Sequence, residues 1–276
     1  MVTHWWLFLT YSFTMIEQTV AGAKAALATF VNPEKRAFFP KFFKSGPGEY
    51  GEGDEFLGVT VPNVRTVADQ FAGLSEAEIY ELMNSSIHEH RLLGLIILVG
   101  KWKRVTKVGR GLSAAELSAR QSAQQELFDF YLRLVYEGRV NNWDLVDTSA
   151  PYFGMFLSGK PDAMQLLESL ARSEKLWERR VSIMFTFASI RAAKLGMGPA
   201  DFAPTIRIAE ILLHDEHDLI HKAVGWMLRE VGNREVAELR NFLSRYAAEM
   251  PRTMLRYAIE KLEPEERQKW LAARAS

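Results

Sequence analysis

The sequence predicts an all-α chain whose helices pair and stack into an α-α superhelix. Three observations predict it. Helical periodicity recurs almost everywhere, no segment alternates with a period of two between turn signals, and one phrase returns along the chain. The phrase reads HRLLGLIIL at 90–98, ERRVSIMFT at 178–186, HKAVGWMLR at 221–229 and LRYAIEKLE at 255–263. Each copy opens with a cation (Arg91, Arg180, Lys222, Arg256) and runs into apolar residues. Neighbouring copies lie about 34 to 42 residues apart, with one copy skipped or degenerate after the first. That period fits HEAT-like or armadillo-type helical pairs, which bury a continuous core and leave a concave face free. The repeated cations predict that this face is a basic groove. The alternative is that basic helix starts are common in any all-helical protein.

The elements follow in order. Residues 1–14, MVTHWWLFLTYSFT, lack a basic start and a small-residue cleavage site, and are too short to span a bilayer. They read as a peripheral segment ahead of one domain over 15–276. Helices are expected at 16–30, 34–44, 62–72, 75–84, 87–104, 113–136, 142–155, 161–170, 174–194, 203–214, 217–231, 234–248, 251–261 and 264–274. Ser75 and Ser113 look like N-caps, with Glu78 and Glu116 at the capping-box position. Gly196 and Gly232 stand where helices should stop. GPGEYGEGDEFLGVTVP, Gly46 to Pro62, is a loop; with four acids and no lysine it cannot cradle phosphate as a P-loop does.

Composition excludes several functions. With 34 Lys+Arg against 34 Asp+Glu, net charge points to no partner. The absence of cysteine removes disulfides, thiolate metal sites and a cysteine nucleophile, and fits the cytoplasm. No later run is long and apolar enough for a membrane span. His214, His217 and His221 are spaced three and four apart, but HDEHD more commonly caps or joins helices than holds a metal. IHEH at 87–90 is not HExxH, and no nucleophile elbow or dinucleotide fingerprint occurs.

Three stretches carry chemistry. In HKAVGWMLRE, Ile220, Ala223, Val224 and Met227 form the apolar stripe, while Lys222, Gly225, Trp226 and Arg229 form another. A tryptophan between cations, beside a residue that lets backbone approach, suits a nucleic-acid backbone. The alternative is a half-buried Trp flanked by solvated cations. In VNNWDLVDTSAPYF, Asn142 is a good N-cap and Asp144 suits the helix dipole. Asp147 lies a turn deeper and shares a face with Trp143, so a carboxylate and an indole project together beside an apolar seam. A carboxylate on a basic face repels phosphate; a cation forming at a sugar carbon would give it a purpose. An exposed surface ion pair is the alternative. In LWERRVSIMFTFASIRAAK, Arg180 falls among Ile183, Met184 and Phe187 on a helix apolar nearly all round. Unless it snorkels out of the first turn, that guanidinium needs an anion, either Asp147 or a phosphate.

With NPEKRAFFPKFF, EFLGVTVPNVR, NNWDLVD, LWERRVSIMF and IHKAVGWMLRE in this order, the chain resembles the AlkD family of DNA glycosylases for alkylated purines, from about Asn32 to the C-terminus. The resemblance implies that Asp147 and Trp143 match the catalytic pair, Arg180 an active-site arginine and Trp226 a second sugar-contacting tryptophan. Phe42, Lys222, Gly225, Arg229, Arg179 and Arg256 are then the candidate DNA contacts. Two positions depart from the family: Phe42 stands where a tyrosine is expected, and Asn142 where some relatives carry another tryptophan. The implied activity is hydrolysis of the N-glycosidic bond of cationic purines in duplex DNA, without cofactor, metal or obligate protein partner, and without flipping the base. A non-catalytic binder of distorted DNA and a protein-binding scaffold are the competing readings.

Overall fold

The computed structural model describes residues 17–107 and 111–273; the segment 1–14 lies outside them. The helices are α1 (Val20–Ala28), α2 (Pro33–Phe42), α3 (Val61–Gln70), α4 (Glu76–Met83), α5 (His88–Thr106), α6 (Ala114–Tyr136), α7 (Trp143–Phe153), α8 (Ala163–Ala171), α9 (Leu176–Phe185), α10 (Phe187–Ile190), α11 (Ala192–Leu195), α12 (Ala203–Ile211), α13 (Asp218–Gly232), α14 (Val236–Tyr246), α15 (Arg252–Ala258) and α16 (Pro264–Leu271). A short 3₁₀ turn, Gly154–Leu157, follows α7. Among the described residues there is no strand, only an isolated bridge between Glu55 and Ile87.

Local chemistry sets the helix starts. Ser75 and Ser113 each accept the backbone N–H three residues on, while Glu78 and Glu116 accept the caps' own N–H groups, completing both capping boxes. Asn32 accepts the Lys35 N–H at 2.9 Å ahead of Pro33, whose missing donor is harmless in the first turn.

The helices form a helical-repeat solenoid. α3, α5, α7, α9, α13 and α15 each contact the next and make an inner row. α4 packs on α5, α8 on α9, and α12 and α14 on α13, as an outer layer. The recurring phrase lies on α5, α9, α13 and α15, and α7 is the degenerate copy between the first two. One continuous core runs from Val20 to Ile259 and includes the fully buried Trp102, Tyr131, Phe153, Phe185 and Phe242.

One expectation is corrected. The helix expected over 174–194 is three pieces, α9, α10 and α11. The first break is where Gly154 packs on the Phe185 carbonyl, so closely that a Cβ there would lie 2.1 Å from that oxygen, and where the Thr186 hydroxyl bonds to the Ile183 carbonyl. Gly196 ends the last piece in the left-handed conformation. Gly232 also stands where a helix stops, as the last residue of α13, and its missing side chain makes room for Leu239 of α14.

Candidate active site

α7 starts where the Asn142 side chain accepts the Trp143 N–H at 2.8 Å. That start places Trp143 and Asp147 one turn apart on the same face. The Trp143 indole lies nearly parallel to Phe43, with centroids 5.7 Å apart, and Phe42 meets it edge-on at 5.9 Å. Aromatic packing thus holds the indole while Phe42 stays 47% exposed.

Arg180 reaches Asp147 from α9. Its Nε donates to Oδ1 at 3.0 Å and Nη2 to Oδ2 at 2.8 Å, a two-point fork. The remaining nitrogen, Nη1, donates to the Leu219 carbonyl at the start of α13. Both partners of the buried guanidinium are therefore supplied by neighbouring inner-row helices. The Arg180 side chain is 5% exposed and that of Asp147 19%, so the carboxylate keeps access to solvent. Burial pushes the Asp147 carboxyl above its ordinary pKa, against the opposing pull of Arg180.

Trp143, Asp147, Arg180 and Trp226 all line one cavity of about 530 Å³, together with Phe42, Lys44, Tyr50, Leu219, Lys222 and Tyr257. Trp226 is half-buried, its ring 6.1 Å from that of Phe187. Lys222 pairs with Asp218 at 2.7 Å, one turn back on α13. A second cavity of about 520 Å³ adjoins the first and shares Phe42, Trp143 and Asp147 with it. Asp147 thus borders open space on both sides of the indole.

Other sequence candidates go elsewhere. Gly225 is buried against α15: a Cβ there would lie 2.5 Å from the Met254 carbonyl oxygen and from the Tyr257 Cβ. The close approach it permits is helix on helix, not DNA on protein. Arg229 pairs with Glu260 and borders a different cleft, with Asn233 and Lys261. Arg179 holds Asp215 at 2.6 Å and donates to the Ser173 and Glu174 carbonyls, which makes it a joint between loops. Arg256 is exposed but does not line the cavity. The histidine trio does cap and join: His217 accepts the Leu219 N–H and His221 bonds the Asp215 carbonyl. Among the described residues no group of three or more His, Asp or Glu is disposed to hold a metal ion.

The sequence reading missed Tyr50, Lys44 and Tyr257 in the lining, and a charged cluster behind it. His88 sits between two carboxylates, 3.3 Å from Asp54 and 2.8 Å from Asp144. Arg91 pairs with Asp54 at 2.5 Å, and Asn142 approaches Asp54 at 3.4 Å. Burial opposes charge on His88, but Asp144 and Asp54 outweigh it and raise its pKa to about 9, so it is an imidazolium. Glu89 accepts the N–H groups of Leu57, Gly58 and Val59 at 2.8 to 3.1 Å. The only signal in the sequence was HEHR itself, four titratable residues running straight into the apolar stretch LLGLIILVG. Arg91, one of the four repeated cations, therefore serves this cluster and not the cavity.

Among the described residues no helix is long and apolar enough to cross a membrane. No curated protein matches the chain in sequence. Among solved structures it is similar to one titled "Predicted DNA alkylation repair enzyme from Enterococcus faecalis", at 16% identity and a TM-score of 0.57, over 84% of this chain and 97% of that one. At that identity the likeness speaks for the fold alone. The family model described as "DNA alkylation repair enzyme" matches residues 23–262, which span the inner row and every residue of the cavity, and the chain therefore belongs to the DNA alkylation repair enzyme family.

Proposed function

We propose that the protein is a DNA glycosylase that hydrolyses the N-glycosidic bond of cationic alkylated purines, such as 7-methylguanine and 3-methyladenine, in duplex DNA. The observation that carries this reading is the convergence of one accessible carboxylate, Asp147, with two indoles, Trp143 and Trp226, at one cavity. A purine alkylated at N7 or N3 is already a good leaving group, so no general acid is required. Positive charge builds on the deoxyribose as the bond stretches. A fixed carboxylate stabilises that charge and can orient the attacking water; water then adds its hydroxyl to the sugar carbon and releases a proton. The indoles add cation–π contacts of about 0.5–2 kcal/mol each. The lining offers flat indoles to a sugar and the Lys44 and Lys222 ammonium groups to its phosphates. That composition favours gripping the sugar and backbone with the base left in the stack, unlike enzymes that extrude it.

One observation favours a second reading, a non-catalytic binder of damaged DNA: both Asp147 oxygens already accept from Arg180. Each carboxylate oxygen has a second lone pair, however, and the fork holds these in place instead of filling them. Incubation with methylated duplex DNA, assaying free 7-methylguanine and 3-methyladenine, decides between the two. Glycosylase action predicts release by the native protein, and Asp147→Asn that binds the duplex but excises at least about 100-fold more slowly. Equal excision by Asp147→Asn would exclude the carboxylate. Release of hypoxanthine as fast as 7-methylguanine would exclude the charge-based mechanism.

A further inference from the structure

The loop between α2 and α3 is fastened far more firmly than an exposed connection requires. Its Asp54 is buried in ion pairs with His88 and Arg91, and its Leu57, Gly58 and Val59 amides converge on Glu89. Nearer the tip, Gly51 donates to the Lys44 carbonyl at 2.9 Å, and Gly46 and Gly48 donate to Glu49 and Glu52. Lys44 is the one non-glycine among the described residues with a left-handed backbone, φ 53°, a conformation that persists only where its surroundings enforce it. The product of this fastening is the position of Tyr50. Its ring meets Trp177 of α9 edge-on at 5.7 Å and His217, the cap of α13, at 6.3 Å. A residue from the N-terminal end of the solenoid thus crosses to two later repeats and closes one end of the cavity. Within the lining only Tyr50 and Tyr257 carry a hydroxyl. Burial raises the Tyr50 pKa although Lys222 and the Trp143 indole N–H, which the phenol oxygen accepts, oppose it, so the phenol keeps its proton and its O–H remains a donor. Among the described residues Lys222 itself is held only by Asp218, whose side chain is exposed, and such a pair yields readily to a phosphate.

We propose that Tyr50 is a substrate-binding residue whose hydroxyl, beside Lys222, donates a hydrogen bond to the DNA phosphate flanking the lesion sugar. The proposal rests on the reading that a DNA backbone enters this cavity. It assigns the loop a function as the arm that fixes backbone register, separate from the bond-breaking carboxylate.

The test is binding, not excision. The probe is a duplex with one tetrahydrofuran abasic-site analogue, alone or with a single methylphosphonate replacing one neighbouring phosphate at a time. Tyr50→Phe keeps the ring against Trp177 and His217, and thermal unfolding checks that the fold is intact. The variant is expected to bind the unmodified probe about tenfold more weakly, the loss of one hydrogen bond to a charged acceptor. At one phosphate position the methylphosphonate should weaken the native protein similarly and Tyr50→Phe no further. Native affinity in Tyr50→Phe, a loss additive with every methylphosphonate, or no binding of the probe by the native protein would each overturn the assignment. If the native protein binds the probe but releases no alkylated purine, excision fails while the tyrosine contact still stands or falls on these affinities. If it excises and Tyr50→Phe binds normally, only the tyrosine contact fails.

Discussion

Gly225→Ala separates two uses of the same glycine. If DNA backbone approaches at this position, a methyl group obstructs the ligand and leaves the free protein alone. If the position serves helix packing, the methyl obstructs α15. The geometry gives a magnitude. The added carbon would lie 2.5 Å from both the Met254 oxygen and the Tyr257 Cβ, about 0.9 Å inside the 3.4 Å of ordinary contact. Neither obstacle is the end of a flexible side chain, so α15 itself must move by roughly that distance. Overpacking of this kind costs about 1–3 kcal/mol. Alanine returns up to about 1 kcal/mol through its better helix propensity. A clash with backbone belongs in the upper half of the overpacking range, about 2–3 kcal/mol, so the net loss is about 1–2 kcal/mol. For a chain of 276 residues the unfolding entropy is about 0.6 kcal/mol/K, so the melting temperature should fall by about 2–4 °C. Displacing α15 also displaces Tyr257 in the cavity wall, so excision should slow as well. The assays are thermal unfolding without DNA, and affinity for undamaged duplex at one fixed salt concentration. An unchanged or higher melting temperature with weakened duplex binding would refute the packing argument and return Gly225 to the DNA surface.

Arg180→Gln should move the acid limb of the excision rate to higher pH, because the guanidinium is the group that opposes the effect of burial on Asp147; single-turnover rates corrected for spontaneous depurination measure this, and an unmoved limb would mean that Asp147 protonation does not set it. His88 is held in its charged form up to about pH 9 when folded but titrates near 6.5 when unfolded, so its contribution to stability is complete below about pH 6.5 and is lost as pH rises through about 9. The loss is up to about 3 kcal/mol, visible in urea titrations across that window, and His88→Gln should flatten the dependence. Arg229→Ala removes a pair outside the cavity and should change stability by less than about 1 kcal/mol and duplex affinity less than about threefold; a tenfold loss in affinity would restore it as a DNA contact.

What the sequence made legible follows from the range of each interaction. Ser75, Ser113 and Asn142 act on residues one to three positions away, so their capping roles can be read from spacing alone. Arg180 was legible for another reason: a cation on an apolar wheel demands a partner, with Asp147 or a phosphate as the candidates, and Asp147 accepts from it. Arg229 was half legible: the wheel places it one turn from Trp226 but says nothing of Glu260, 31 positions on, with which it pairs. Gly225 failed, since a helical wheel shows that a side chain is missing and not which neighbour fills the space. The partners of His88 lie 34 and 56 positions away, beyond any local pattern. Tyr50 sits in a loop without periodicity, where only the tertiary fold reveals what its ring meets.

The placement of charge follows from the weakness of a solenoid. Each repeat contacts mainly its neighbours, so a site assembled from several repeats inherits the looseness of every interface between them. Apolar packing fills those interfaces but specifies their register weakly. Arg180 lies on α9 and bonds to Asp147 on α7 and to the Leu219 carbonyl on α13, tying three successive inner-row helices at the point where the proposed chemistry occurs. The cluster of Asp54, His88, Arg91 and Asp144 does the same between the loop, α5 and α7. Well-packed apolar groups commonly match or exceed buried ion pairs in stability. Their presence at these two joints is better explained by directionality: a forked hydrogen bond fails when helices slide by an ångström, and a leucine contact does not. On this argument, Arg180→Met in combination with Asp147→Leu should yield a protein at least as stable as the native one in urea titration, yet with faster amide hydrogen exchange where α7, α9 and α13 meet; native exchange rates there would refute the argument, whereas loss of excision follows from removing Asp147 alone.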